Sequence, residues 1–372
     1  MKKVILVSLC AALLFLGASL CYAKEGTITE SPDVKIIIDG ELSTYTNVPI
    51  TVNNRTLLPF REVLCNLGVQ NDEEHIIWNS AEKSITILKD EVKIYLKIGS
   101  NDATVNDQPV AIDVAPVIYK SRTYIPARFI SQSLGIKVGW DPVSTTVLMK
   151  NESDYNEIKS VLDKTSAAMS SLERYKTGET GKASLFTGNI TVLSITSHKT
   201  TYDYKNRLIY STIDSSLEDG ENKIDEQLEY YTDGFTEYVK TDGNWLGTPM
   251  DQDKSKKVFE FEDLAADDIL CTGLNFVSDP TDNAICLKGN IDLKNYSDGY
   301  FELVDISDYR FKTVEVEISI NKDTYYINKI TLKAIVSNKN DEDSEITTEL
   351  ETNYSDFNGD FTVAVPEGLG VG

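Results

Sequence analysis

Arg55-Thr56-Leu57-Leu58-Pro59-Phe60-Arg61 recurs as Arg122-Thr123-Tyr124-Ile125-Pro126-Ala127-Arg128, sixty-seven residues further on (122 less 55). At the same offset Pro49 matches Pro116, Leu67 matches Leu134 and Gly68 matches Gly135. Tandem copies of one supersecondary unit read as scaffold, because neither copy buries its apolar face alone. Each copy dictates its own elements. Ile50–Val52 and Thr56–Leu58 flank Asn53-Asn54, two residues that tolerate positive φ, so a tight hairpin is expected. Pro59 stands where a helix begins, since its fixed φ suits the first turn and its missing donor is not needed there. Val63, Leu64 and Leu67 mark one helical face, and Gly68 is placed to end it. Ile76-Ile77-Trp78, a polar turn over 79–83, and Ile85-Thr86-Ile87 then predict a second hairpin. The second copy repeats this order through Val138-Gly139-Trp140-Asp141 and Val147-Leu148-Met149. Val92, Ile94, Leu96 and Ile98 alternate between the copies as a half-buried strand.

The later half of the chain has another texture. Tyr155, Ile158, Val161, Leu162, Met169 and Leu172 fall at helical spacing, with Ser153 as the expected N-cap. Many strand-like runs follow. Asp233-Gly234 and Asp242-Gly243 are hairpin signals within a meander. A second helix is expected over 258–274, ending near Gly273. Three long strands then alternate, from Thr313, Tyr325 and Glu345, with the acidic stretch Asn338 to Ser344 as a solvated hairpin tip. The expected fold is α+β with two domains. A duplicated hairpin-helix-hairpin module occupies 34–150. A curved antiparallel sheet with one or two helices on its concave face occupies 154–366. The polar joint Asn151-Glu152-Ser153 lies between them, a linker over 24–33 precedes them, and a flexible tail over 367–372 follows.

The first residues read as a leader. Lys2 and Lys3 precede an apolar run from Val4 to about Leu20, ending in Cys21-Tyr22-Ala23. That pattern predicts a signal peptide over 1–23, cleaved after Ala23, and an extracellular or cell-surface mature protein with no transmembrane segment. Leu20 before Cys21 argues against lipidation. The formal net charge of −23 becomes −25 when Lys2 and Lys3 leave. Such a chain is repelled by nucleic acid and by anionic membrane surfaces. Calcium or cationic wall components are compatible with the acidity, which solubility alone also explains. Cys65, Cys271 and Cys286 remain in the mature chain. Cys271 and Cys286 could form a bridge across a short loop or remain thiols.

Arg-Thr-(Leu/Tyr)-(Leu/Ile)-Pro-x-Arg, then Leu-Gly, then Trp-(Asn/Asp), in both copies, resembles the copper amine oxidase N-terminal, or stalk, domain over about 34–150. That resemblance implies an accessory module of the kind found on wall-associated proteins of Gram-positive bacteria, with no catalysis. Amine oxidase copper needs three His ligands, and His75 and His198 are the only two histidines here. Tyr230-Tyr231-Thr232-Asp233-Gly234, Asp242-Gly243-Asn244-Trp245, the run from Asp323 to Ile330 and the closing Val365-Pro366 resemble the LolA-like fold, whose carriers hold acyl chains in an apolar cavity. No ligand contact is carried over by that resemblance.

No side chain is singled out as catalytic, metal-binding or cofactor-binding, no cofactor is implied, and the ligand-binding residues are left unassigned. Ser80-Ala81-Glu82-Lys83 and Lys176-Thr177-Gly178 mimic penicillin-binding motifs by coincidence, as they fall in different domains. Asp356-Phe357-Asn358-Gly359-Asp360 lacks the downstream acidic residue of a calcium loop and reads as a turn. His75 and His198 read as surface or hairpin residues. Arg61 and Arg128 read as fasteners of helix to hairpin, although an Arg fork also grips carboxylate or phosphate. Trp78 and Trp140 read as core, although exposed indoles can stack on sugars. The expected protein is thus an exported, non-catalytic envelope protein. A stalk or anchoring module, with cell-wall components as possible partners, carries a domain for an acyl or other hydrophobic ligand. The alternatives are a purely structural or protein-interaction surface protein, or an envelope hydrolase.

Overall fold

The computed structural model describes residues 27–142, 145–187, 190–261, 264, 268–279, 283–290, 309–338, 340–341 and 344–369. The leader expected over 1–23 lies outside them. Among the described residues the first module holds fourteen strands. These are β1 (Ile28–Glu30), β2 (Lys35–Ile38), β3 (Glu41–Leu42), β4 (Ile50–Val52), β5 (Arg55–Pro59), β6 (Ile76–Asn79), β7 (Ser84–Lys89), β8 (Val92–Lys97), β9 (Asp102–Val105), β10 (Gln108–Ala111), β11 (Val117–Tyr119), β12 (Arg122–Pro126), β13 (Ile136–Asp141) and β14 (Thr146–Asn151). Helix α1 (Phe60–Asn66) follows β5, and α2 (Ala127–Ser133) follows β12. The strands form three sheets, ordered β1-β4-β5-β12-β11, β10-β9-β8-β7-β6 and β13-β14-β2-β3.

Local chemistry explains these elements. Asn53 and Asn54 take φ of 50° and 59°, closing the β4–β5 hairpin, and Lys120 and Ser121 take 46° and 61° at the corresponding β11–β12 turn. Gly68 and Gly135 end the two helices with φ of 80° and 71°. Pro59 and Pro126 sit one position earlier than expected, as the extended residues just before each helix. Strand β5 pairs with β12 so that Leu58 faces Ile125, two positions related by the 67-residue offset. Ile94 and Leu96 of β8 are fully buried, as their alternation requires.

Helix α3 (Glu152–Ser170) opens the C-terminal part. Its N-cap is Asn151, whose side chain accepts from Asp154 N at 2.9 Å, and not Ser153. Asn is as good a cap as Ser, and starting there puts Glu152 and Asp154 in the first turn, where the helix dipole favours them. Among the described residues eleven strands then build one wholly antiparallel sheet. They are β15 (Arg174–Thr187), β16 (Ile190–Asp203), β17 (Leu208–Glu218), β18 (Lys223–Thr232), β19 (Thr236–Thr241), β20 (Asn244–Pro249), β21 (Leu274–Val277), β22 (Ala284–Gly289), β23 (Tyr309–Asn321), β24 (Ile327–Asn338) and β25 (Glu345–Ser355). Their order is β20-β19-β18-β17-β16-β15-β25-β24-β23-β22-β21. Short helices α4 (Gln252–Val258) and α5 (Asp268–Gly273) interrupt the run. The single helix expected over 258–274 is therefore corrected: α4 stops at Val258, and Phe259 and Phe261 turn in to pack on aromatic and core residues.

The molecule is α+β and mostly sheet. Ile158, Leu162 and Met169 of α3 share one core with Val316, Ile318, Ile330, Leu332 and Leu350 from β23–β25. That core also contains Ile37 and Leu148 from the first module. Strand β14 explains how. Val147 and Met149 point into the first module's core while Leu148 points into the second. The whole of Thr146–Lys150 is buried. Lys150 Nζ donates to Asn275 Oδ1 of β21 at 2.5 Å. Backbones approach closely here. A Cβ on Gly40 (φ 84°) would overlap the Asn275 amide, and one on Gly139 would overlap Thr272 Oγ1.

Candidate functional site

Helix α3 covers only one half of the large sheet. It packs on the β21–β25 half and on β13 and β14 of the first module, while β17–β20 extend beyond it. Register shows what the uncovered half presents on the helix-bearing face. Tyr202 faces Ile209, Thr200 faces Ser211, and His198 faces Ile213. Across the next ladder Ser211 faces Tyr230 and Ile213 faces Leu228. Tyr230 then faces Val239, which faces Leu246. Apart from His198 and Leu246, which lie beyond it, these side chains floor a recess of about 480 Å³, with Glu229 and, from α4, Val258 also in its lining.

The recess has one rigid end. Tyr202 stacks on Tyr175 at 4.4 Å, Tyr204 meets both edge-on, and Phe259 closes on Tyr204 at 5.9 Å. The Tyr175 and Tyr204 hydroxyls lie 3.0 Å apart. Burial pushes both phenols above their ordinary value. Helix α4 is pinned over this end. Lys254 Nζ reaches Glu237 at 2.6 Å, Ser255 Oγ donates to Gly234 O at 2.6 Å, and the Arg207 guanidinium donates to Ser255 Oγ and lies over Phe259. The opposite end is open. Val239 and Leu246 are 37% and 66% exposed, and further along the same face Leu217 and Ile224 are 45% and 55% exposed. Apolar side chains left this wet in register with a recess mark a binding face more than a core.

Polar groups are few. Thr200 and Ser211 share a hydrogen bond of 2.8 Å, and Tyr230 Oη donates to Glu237 at 3.2 Å. Burial, followed by the Glu237 charge, pushes the Tyr230 phenol well up. At the boundary with the packed half, His198 Nδ1 lies 3.3 Å from Glu179, which also accepts from Thr352 Oγ1 at 3.0 Å. His198 is thus a half-buried residue in mid-strand of the long β15–β16 hairpin, on the same face as the recess. His75 does lie in a loop, where its ring and backbone bond Asp72 and hold that carboxyl below the usual range.

The other residues weighed from the sequence fall elsewhere. Ser80 lies in the β6–β7 turn and Lys176-Thr177-Gly178 in β15, on separate sheets. Asn358 uses its side chain to bind Glu173 N and Arg174 N, so the 356–360 segment is a turn tied to β15. Cys271 and Cys286 are buried thiols without a disulfide. Among the described residues no three His, Cys, Asp or Glu side chains gather as metal ligands, and no helix is long and apolar enough to cross a membrane. Two expectations are corrected. Trp78 and Trp140 are not core: they are 38% and 39% exposed. Arg61 and Arg128 are exposed, and Arg61 binds Asn71 Oδ1 at 2.9 Å, not the hairpin.

Both copies of the repeated motif lie within the stretch that family comparison identifies. Residues 37–149 match the copper amine oxidase N-terminal domain. Residues 298–369 match a family of unknown function, DUF6612. No curated protein matches the chain. Among solved structures, the lipoprotein LppX of Mycobacterium tuberculosis is 9% identical over 56% of this chain and 99% of its own, with a TM-score of 0.31. LprF from Mycobacterium bovis is 10% identical over 57% and 98%, with a TM-score of 0.34. A DUF1329 family protein from Desulfovibrio piger is 8% identical over 57% and 95%, with a TM-score of 0.23. The recess lies outside the copper amine oxidase N-terminal domain, and that domain contributes no side chain to it.

Proposed function

We propose that this is an exported, non-catalytic envelope protein whose large sheet holds an acyl chain or similar apolar molecule. The duplicated module over 34–150 spaces or anchors it at the surface. The observation that carries this reading is the recess of about 480 Å³ on the half of the sheet that α3 leaves uncovered. Small-molecule sites commonly measure about 300–1,000 Å³ and are lined by apolar and aromatic groups with few polar handles. This lining has that composition. Ten buried methylenes would contribute about 8 kcal/mol at roughly 0.8 kcal/mol each, before ordering costs. Micromolar binding corresponds to about that total, so a longer chain or the Thr200 and Ser211 hydroxyls must offset the ordering costs. Nucleic acid is disfavoured as a partner by the net charge of −23.

The test is organic extraction of the secreted full-length protein followed by mass spectrometry. One apolar species in near-stoichiometric amount is expected. A clean extract, from protein that also fails to take up added fatty acid, would leave the structural and protein-interaction reading in its place. N-terminal sequencing of the same preparation should begin at Lys24.

A further inference from the structure

We infer that the first module carries two related glycan-binding recesses, and that the first of them recognises a sugar bearing an anionic group. The inference is independent of the acyl-binding reading. It starts from the β5–β12 ladder. Because Leu58 pairs with its own repeat equivalent Ile125, the two copies meet about a local two-fold axis. The hairpin turn of each copy is therefore carried to the helix start of the other.

Two recesses result, and their linings correspond. The first, of about 390 Å³, takes Arg61 and Trp78 from the first copy and Ser121, Arg122 and Thr123 from the second copy's hairpin. The second, of about 640 Å³, takes Arg128 and Trp140 from the second copy and Asn54, Arg55 and Thr56 from the first copy's hairpin. Arg61 and Arg128 match at the 67-residue offset, as do the two hairpin triplets. Each Trp comes from the strand that follows its helix, β6 or β13. Both indoles are more than a third exposed. A large aromatic ring left in water is the informative exception to burial, and here it recurs at matching places beside arginines.

The chemistry of the pair is specific. A pyranose presents one face of C–H bonds that lies flat on an indole, and its hydroxyls suit the Ser, Thr and Asn groups of each hairpin. A guanidinium grips carboxylate or phosphate through paired N–H donors. The two recesses differ in charge. In the first, Arg61 lies over Phe60 at 5.1 Å and Arg122 is exposed. The nearby acid, Glu62, is occupied: Oε2 accepts from Thr46 N at 2.7 Å and Oε1 from Asn47 Nδ2 at 2.5 Å. In the second, Arg55 is paired with Asp113 and Glu30 with Lys120 at 2.6 Å, so Arg128 faces Asp33 in a lining whose charges largely cancel. The first recess thus suits an acidic sugar and the second a neutral one. The protein's net charge of −23 does not prevent this. At physiological salt the Debye length is about 8 Å, so distant carboxylates are screened while a guanidinium in hydrogen-bond contact is not.

The test is calorimetric titration of the full-length secreted protein with four probes. Hyaluronan hexasaccharide carries sugar carboxylates, mannose 6-phosphate a sugar phosphate, chitohexaose neutral sugars, and polyglutamate charge without sugar. Saturable binding of hyaluronan or mannose 6-phosphate is expected, and whichever binds identifies the anion. Arg122→Ala and Trp78→Leu should each weaken it about tenfold or more. Both side chains are exposed, so melting temperature should hold. If Trp78→Leu lowers it, Arg122→Ala decides alone. Trp140→Leu should weaken chitohexaose and spare the acidic probe. The inference fails if neither acidic sugar binds, if polyglutamate binds as tightly as they do, or if Arg122→Ala leaves their binding unchanged.

Discussion

Leu148→Ala tests whether the two parts of the chain stand or fall together. Leu148 lies in the last strand of the first module, yet it is fully buried in the core built by α3 and β22–β25. Buried Leu→Ala changes cost about 2–5 kcal/mol, the upper end where the surroundings cannot collapse. Neighbours on β14 are buried on both faces and Lys150 is held by Asn275, so little relaxation is open and about 3–5 kcal/mol is expected. For a cooperative unit of 150–250 residues that lowers the melting temperature by roughly 6–20 °C. The assay is chemical unfolding in a Trp245→Phe background, so that fluorescence reports Trp78 and Trp140 of the first module, while far-ultraviolet dichroism is dominated by the long strands of the large sheet. Both curves should move together by the same free energy. A large sheet that melts at its original midpoint, while only the tryptophan signal shifts, would refute the shared core.

Three further outcomes follow from the same geometry. Asn275→Leu should destabilise by about 1–3 kcal/mol by stripping the buried Lys150 ammonium of its acceptor, and adding Lys150→Met should recover most of that loss in chemical denaturation. Arg128→Ala should change stability by less than about 0.5 kcal/mol, since the side chain is exposed; a loss above 1 kcal/mol would restore its reading as a fastener. Alkaline pH should destabilise the large sheet. Burial, and then the hydrogen bond to Glu229, push the Tyr210 phenol up to about 12. The unfolded chain ionises that phenol near pH 10, so stability is constant below that and falls as pH rises from about 10 to about 12. Tyr210→Phe should make this limb shallower in pH-dependent melts, with the rest left to the other raised phenols, Tyr175, Tyr204 and Tyr230.

Turn chemistry and the glycine ends of the two short helices were legible in the sequence because they are local, whereas the α3 N-cap fell at Asn151 and not at Ser153. Asn53-Asn54, Gly68, Gly135 and Asp242-Gly243 all adopt the positive φ that their residue types invite. The α3 stripe of Ile158, Leu162 and Met169 was legible for the same reason. What the sequence hid depends on register between distant strands. An indole beside apolar strand residues looks like core until its neighbour proves to be the other copy's hairpin, as with Trp78 and Arg122. His198 looks like a lone surface histidine until the β15–β16 ladder sets it opposite Glu179. The recess combines residues from four strands and a helix. Its one sequence signal is the alternation Ile209-Ser211-Ile213 beside Leu228-Tyr230, where hydroxyls interrupt an apolar face too wet to be a core.

The acyl-binding claim is tested most directly by titrating the full-length protein with a fluorescent fatty acid, beside a Ser211→Trp variant. Ser211 is in the floor of the recess, and an indole there would displace three or four methylenes. At roughly 0.8 kcal/mol each that is about 3 kcal/mol, or about a hundredfold in affinity. Saturable uptake at one site, with a negative heat-capacity change and a loss of that size in the variant, is the predicted result. No saturable uptake, or uptake that Ser211→Trp leaves unchanged, would contradict it.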